Sequence, residues 1–192
     1  MLDPVTDYFN SNYIEYDQWF ETHRKEYDEQ LSFLKDILPK GKGIEIGVGT
    51  GRFAGPLKIQ YGLDSSKEML KLAEKRGVKT ILGSTYSTNL PNKSFEYSLF
   101  YMTLCFLSDP IMAVREASRI SKKVISVILD RNSEYVQRLM NERRGFYAFA
   151  NFYTAGEIIH FYLESGLKVT EKIERDLTTS EGVPYKLVAI IG

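Results

Sequence analysis

Residues 43–64, GIEIGVGTGRFAGPLKIQYGLD, constrain this chain more than any other stretch. A short apolar run with Ile44 and Ile46 leads into glycines at 47, 49 and 51, then into a helix-compatible segment that Pro56 keeps short. A second extended run, 58–63, ends in Asp64. Strand, glycine-rich turn, helix, strand, acid is the order found in the nucleotide-cradling half of a doubly wound α/β fold. The glycines permit positive φ and close approach of a ligand, and the amides at 50–53 present the positive end of a helix dipole. The spacing then separates the candidate ligands. A triphosphate loop needs a Lys-Ser/Thr pair after its last glycine, but Gly51 is followed by Arg52 and Phe53. A dinucleotide turn needs its third glycine at position 52, which is arginine. What remains is Gly-x-Gly-x-Gly with Glu45 two positions upstream, a carboxylate at the lip of a buried strand that is costly unless something pairs with it.

The rest of the chain extends this pattern. Residues 5–37 hold neither Pro nor Gly and carry Tyr13, Tyr16, Phe20, Tyr27, Leu31, Leu34 and Leu38 at helical spacing. That predicts one or two amphipathic helices ending before Pro39. They either pack on the sheet edge or form a lid (1–38), to which Tyr13, Tyr16, Trp19, His23 and Tyr27 would bring polar tips. Ser65 and Ser66 can cap a helix running to Lys75 and Arg76. Strands follow at 78–82 and 95–101, separated by Gly83-Ser84-Thr85 and a loop through Pro91. Asp109-Pro110 starts a helix, and 124–129 is a continuous apolar run suited to a buried central strand. A basic and aromatic segment, 138–153, is given no regular element. Thr154 with Glu157 makes a capping box for a helix that Gly166 stops. Strands at about 167–175 and 185–191 close the chain. The sum is one α/β domain with a mostly parallel seven-stranded sheet and an antiparallel C-terminal strand, its core spanning 43–192.

Composition narrows the class. Lys plus Arg and Asp plus Glu are both 25, so the net charge is zero, which argues against broad electrostatic binding to nucleic acid or an anionic membrane. The single cysteine, Cys105, cannot form an internal disulfide and fits a reducing cytoplasm. No apolar run reaches the roughly 18 residues of a membrane span, and the start, MLDPVTDYFN, is too polar for a signal peptide. A cytoplasmic monomer or homodimer without a metal is expected.

With these residues in view, EIGVGTG (45–51) resembles the first motif of the class I S-adenosylmethionine-dependent methyltransferases, in particular the small menaquinone/ubiquinone-biosynthesis type. Asp64 stands where that family's ribose-binding acid ends strand 2, and Gly83-Ser84-Thr85 with Leu90-Pro91 matches its Gly-Asp-Ala…Leu-Pro segment. DPIMAVREASRISKK and FYTAGEIIHFYLESGLKV are similar to its helices before and after strand 5. The resemblance implies a Rossmann-like fold, S-adenosylmethionine as methyl donor, S-adenosylhomocysteine as product and a small-molecule acceptor. It assigns the cofactor to Glu45, Gly47, Gly49, Thr50, Gly51, Asp64, Ser65, Met69, Gly83, Ser84, Thr85 and Thr103. Met69 is either an adenine wall or a core residue, and Arg52 either pairs with the cofactor carboxylate or faces solvent. Ser84 replaces the usual acid that accepts from the adenine amino group, and the Pro-Gly-Gly before strand 5 is missing. The Pro-Pro-Tyr type motif of nucleic-acid-methylating relatives is absent after strand 4, where the chain reads Tyr-Met-Thr-Leu-Cys, so no nucleic-acid substrate is expected.

Methyl transfer needs a base only when the acceptor must lose a proton. Tyr16 and His23 are the candidates for that task, and Phe146, Tyr147, Phe149 and Phe152 are expected to line the acceptor pocket. The competing expectation is a protein that binds the cofactor without transfer and acts through a partner.

Overall fold

The computed structural model describes residues 3–192. At its centre is a sheet of β1 (Gly43–Ile46), β2 (Tyr61–Asp64), β3 (Lys79–Leu82), β4 (Phe95–Tyr101), β5 (Ser121–Leu129), β6 (Glu171–Thr178) and β7 (Pro184–Ile191), in the spatial order β3-β2-β1-β4-β5-β7-β6. Strands β1 to β5 are parallel, and β7 lies antiparallel between β5 and β6. The order reverses between β1 and β4. In open α/β sheets the crevice at that reversal, beyond the carboxyl ends of the strands, is where ligands bind.

Both faces of the sheet are covered, as a parallel sheet requires. The period of two divides β5 cleanly: Ile125, Val127 and Leu129 join one core, while Val124 and Ile128 join the other. The first core takes Phe33 and Leu34 of α3 (Arg24–Ile37) and Val136 of α7 (Glu134–Glu142). The second takes Val114 and Ala117 of α6 (Pro110–Ile120) and Ile158 of α8 (Ala155–Glu164). Asp109 caps α6 through its side chain with Pro110 in the first turn, and Thr154 and Glu157 form the capping box of α8. The missing Pro-Gly-Gly is explained by Ser121: α6 runs straight into β5, and Ser121 Oγ donates to the Ala117 carbonyl at 2.7 Å.

Four expectations are corrected. The N-terminal segment is three helices, α1 (Pro4–Ser11), α2 (Tyr13–Thr22) and α3, because Asn12 and His23 leave helical geometry. The second strand starts at Tyr61, since Lys58 adopts φ 56° and closes the short α4 (Ala54–Leu57). The second-to-last strand is Glu171–Thr178, later than 167–175. Residues 134–142 form helix α7, which overlaps the start of the basic and aromatic segment and buries Val136. No helix among the described residues is long and apolar enough to cross a membrane.

Tyr162 joins the layers: it is fully buried, its hydroxyl donates to the Ile190 carbonyl at 3.0 Å, and Ser126 Oγ lies 2.9 Å from the same oxygen. Tyr162→Phe is expected to cost about 1–2 kcal/mol, read as a lower urea midpoint at unchanged slope.

Candidate active site

The loop after β1 folds back over the end of β2. Gly47 and Val48 donate their amides to the Leu63 carbonyl at 2.7 and 3.0 Å, and Gly47, Gly49 and Gly51 all have positive φ. At Gly47 a side chain is excluded outright, because a Cβ there would lie 2.2 Å from Thr103 Cγ2. Asp64 then ties two loops together. Its Oδ2 accepts from the Gly49 amide at 2.8 Å, and its Oδ1 accepts from the Ser66 amide at 2.8 Å, which starts α5 (Lys67–Lys75). Each oxygen keeps a lone pair for a further donor. Burial raises the Asp64 carboxyl above its ordinary value, partly offset by those amides.

Two buried polar atoms beside this loop have no hydrogen-bond partner among the described residues: Glu45 Oε2 and Thr50 Oγ1. Glu45 is 2% exposed, and burial pushes its carboxyl well above the usual range, with the Asp64 charge adding to the effect. The Ala54 amide offsets part of that effect, but a buried carboxyl with an unpartnered oxygen is still expensive. The arrangement fits a ligand that brings hydroxyls to Asp64 and a cationic group to Glu45.

The other expected cofactor residues fall around the same edge with distinct roles. Gly83 donates its amide to the Asp64 carbonyl at 3.0 Å, Ser84 is exposed with its Oγ accepting from the Tyr86 amide at 3.2 Å, and Thr85 is buried. Met69 is 1% exposed, so it belongs to the packing of α5 rather than to an open wall. The Thr103 hydroxyl is spent on the backbone, donating to the Ile46 carbonyl at 3.0 Å, so this residue shapes the loop through its side-chain volume. The loop 83–91 is itself pinned from α6. Arg119 bonds the Leu90 carbonyl at 2.8 Å and grips Glu116, which accepts from Thr88 and whose carboxyl is held down at about 2 chiefly by that guanidinium.

The N-terminal helices sit over this edge. Thr6 and Asn10 of α1 meet Ser65 and Ser66 at the start of α5, with oxygen–oxygen distances of 2.8 Å for both pairs. From α2, Tyr16 lies above the glycine loop; a Cβ at Gly49 would stand 3.6 Å from its ring. Arg52, expected at the cofactor carboxylate or in solvent, does neither. It binds Asp17 through two nitrogens at 2.9 and 2.6 Å and also pairs with Glu21. Arg76 joins the same cluster, donating to Asp17 Oδ2 and to the Thr50 carbonyl, both at 2.8 Å. Burial alone would raise the Asp17 carboxyl, but the arginines hold it below its ordinary value. Asp17 and Arg76 were not legible as site residues, because nothing in the local sequence links positions 17, 52 and 76.

Between the helices and the ends of β4 and β5 lies a cavity of about 70 Å³, lined among others by Tyr16, Tyr101, Met102, Phe146, Tyr147 and Phe152. Phe149 is not among its lining residues; its ring packs 4.9 Å from Tyr8. His23 is not in this cavity either. It stacks on Trp19 with ring centroids 4.2 Å apart, its Nδ1 lies against Thr22 Oγ1 and the Trp19 carbonyl, and it lines a separate outer cleft of about 450 Å³. Burial, and secondarily the Glu45 and Asp64 charges, pushes the Tyr16 phenol far up, so it stays neutral. Among the described residues no group of three or more His, Cys, Asp or Glu is placed to hold a metal ion.

The Glu45 geometry makes a prediction about the ligand-free protein. A carboxyl whose folded value is raised costs stability as pH climbs from its unfolded value of about 4.5 upward. Glu45→Gln is therefore expected to melt higher than the parent at pH 7, by about 2–4 °C per kcal/mol recovered, and to lose that advantage below about pH 4.5. Melting curves across pH check this.

Comparison with known proteins agrees with this geometry. A family model described as a methyltransferase domain matches residues 44–125. An uncharacterised protein of Methanocaldococcus jannaschii is 38% identical over 181 residues, covering 90% of this chain and 88% of that protein. A crystal structure from Thermotoga maritima, described as an S-adenosylmethionine-dependent methyltransferase and possible histamine N-methyltransferase, superposes with a TM-score of 0.88 at 36% identity, covering 97% of this chain and 98% of that one. The magnesium protoporphyrin IX methyltransferase of Synechocystis, solved with bound S-adenosylhomocysteine, shares the fold with a TM-score of 0.69 at 15% identity over 97% of each chain. The glycine loop, the acid at the end of β2 and the sheet order therefore have one common explanation: this chain belongs to the S-adenosylmethionine-dependent methyltransferase family.

Proposed function

We propose that this chain transfers a methyl group from S-adenosylmethionine to a small-molecule acceptor held in the cavity beneath α1 and α2, which act as a lid. The observation that carries this reading is the pair of carboxyls beside the glycine loop, Glu45 with one unpartnered oxygen and Asp64 holding the Gly49 and Ser66 amides, with Tyr16 lying between that loop and an apolar cavity. Asp64 would accept from both ribose hydroxyls with its remaining lone pairs, a charge-assisted contact. Glu45 would receive the cofactor's amino group, and the glycine amides would lie against its adenosine and amino-acid tail. Gly83, Ser84 and Thr85 would border the adenine. The cofactor supplies an electrophilic methyl group; the protein's task is to hold an acceptor lone pair in line with it and keep water away. The Thermotoga relative's description names a small-molecule acceptor, in keeping with the size of the cavity here.

A general base is not part of this reading. Burial drives the Tyr16, Tyr101 and Tyr147 phenols up and the Cys105 thiol up to about 12, and His23 lies in the outer cleft. The acceptor must therefore arrive with its lone pair available.

Titration calorimetry with S-adenosylhomocysteine tests the assignment. Asp64→Ala is expected to weaken binding by about 10- to 100-fold, the worth of one charge-assisted contact. Unchanged affinity in a variant that still melts cooperatively would remove Asp64 from the ribose site. Release of S-adenosylhomocysteine from S-adenosylmethionine in a mixed metabolite pool then separates a transferase from a protein that only binds.

A further inference from the structure

The grip of α2 on Arg52 differs in kind from the ion pairs on the helix surfaces. Pairs such as Arg24–Asp28 and Arg138–Glu134 join residues four apart on one helix, with both side chains largely exposed. Such pairs contribute little. Asp17 instead reaches Arg52, 35 positions away, and Arg76, 59 positions away. The Arg52 and Asp17 side chains are only 12% and 15% exposed, and Arg52 engages both carboxylate oxygens, the fork geometry that makes such a pair directional. A further bond runs from Arg52 Nη2 to the Asp17 carbonyl at 2.9 Å, so the backbone of α2 is held as well as its side chain.

The rest of that helix face joins in. Asp17, Phe20 and Glu21 stand at i, i+3 and i+4 and therefore form one strip. The Arg52 guanidinium lies 5.7 Å from the Phe20 ring centre and pairs with Glu21 beyond it. The loop itself is held from below: Tyr27 of α3 donates to the Arg52 carbonyl at 2.6 Å, and Arg76 donates to the Thr50 carbonyl.

Tyr16 precedes Asp17 by one residue, about 100° around the helix. With Asp17 gripped beside the loop, the Tyr16 ring is carried over it. A Cβ on Gly49 would stand 3.6 Å from that ring, a separation through which no ligand passes. The same ring meets Phe20 at 5.3 Å and Phe146 at 5.2 Å, so its place also sets one wall of the cavity. A ligand lying along the Gly49 backbone can enter or leave under Tyr16 only when α2 lifts, and lifting α2 breaks the Asp17 bonds. Charged groups suit a contact that has to part, because water replaces the lost bonds instead of meeting bare apolar surface.

We propose that Asp17 is a positioning residue: its bonds to Arg52 and Arg76 set α2 on the glycine loop, hold Tyr16 over Gly49 and thereby govern how long the cofactor and its product stay bound. This rests on the methyltransferase reading above. Asp17 acts through Tyr16 and needs no contact with cofactor or acceptor.

The chain supplies its own probe. Its single tryptophan, Trp19, lies on α2, stacks on His23 and lines the cavity, so acrylamide quenching of its fluorescence reads the lifting of that helix. S-adenosylhomocysteine is titrated into the full-length parent first, and absence of binding there would overturn the methyltransferase reading and this proposal with it. With binding established, Asp17→Asn, which keeps the shape and removes the charge, is expected to make Trp19 more quenchable and to speed S-adenosylhomocysteine dissociation about tenfold, the worth of a charged hydrogen bond. Arg24→Ala, which removes only an exposed pair, should leave both readouts at the parent's values. Tyr16→Ala is expected to speed dissociation too, and adding Asp17→Asn to it should then change the rate by less than about twofold, since the group through which Asp17 acts is gone. Melting curves check that each variant folds; if Asp17→Asn does not, Arg52→Lys, which keeps the charge and loses the fork, replaces it with the same expected outcomes. A dissociation rate in the single variant equal to the parent's overturns the proposal. So does a double variant whose rate is the product of the two single effects, because Asp17 would then act independently of Tyr16.

Discussion

The Asp64 carboxylate holds together the parts of the molecule that the site needs. One oxygen takes the Gly49 amide and the other takes the Ser66 amide, so the loop after β1 and the start of α5 are fixed to the end of β2. The backbone bonds from Gly47 and Val48 reach only Leu63, and at the other end of α5 Arg76 adds a second tie through the Thr50 carbonyl. The same capped start of α5 is where α1 docks, through Thr6 on Ser65 and Asn10 on Ser66. A single acid thus sets the floor of the site and the seat for the helix that covers it.

The cover is fastened on two chemically different sides. Polar contacts join α1 to α5, and the Asp17–Arg52–Arg76 cluster joins α2 to the glycine loop through the Thr50 carbonyl. Opposite these, Phe9 packs edge to face on Phe106 and Tyr16 on Phe146, so the far side closes by apolar burial. The arginines were free to serve a ligand carboxylate by position alone, but the acid on α2 holds both. What is left under the cover is an uncharged aromatic space beside the carboxyls of Glu45 and Asp64.

Much of the frame was legible because local rules governed it. The strand Phe95–Tyr101, the Asp109-Pro110 helix start and the Thr154–Glu157 capping box each depend on residues within a few positions of one another. The acid at 64 was found because it ends a strand at a fixed distance from the glycines. What escaped depends on tertiary context. Asn12 and His23 break the N-terminal helices without a Pro or Gly to announce it. Arg52 was misplaced because its partner lies 35 positions upstream. The Thr103 hydroxyl is another case: its position at the lip of β4 was readable, but its bond to the Ile46 carbonyl was not.

A crystal structure with S-adenosylhomocysteine bound tests the central claim most directly. The account predicts the ribose hydroxyls on Asp64, the amino group at Glu45 and the sulfur facing the cavity walled by Tyr16, Tyr101 and Phe146. A ribose bound elsewhere, or a sulfur turned away from that cavity, would contradict it.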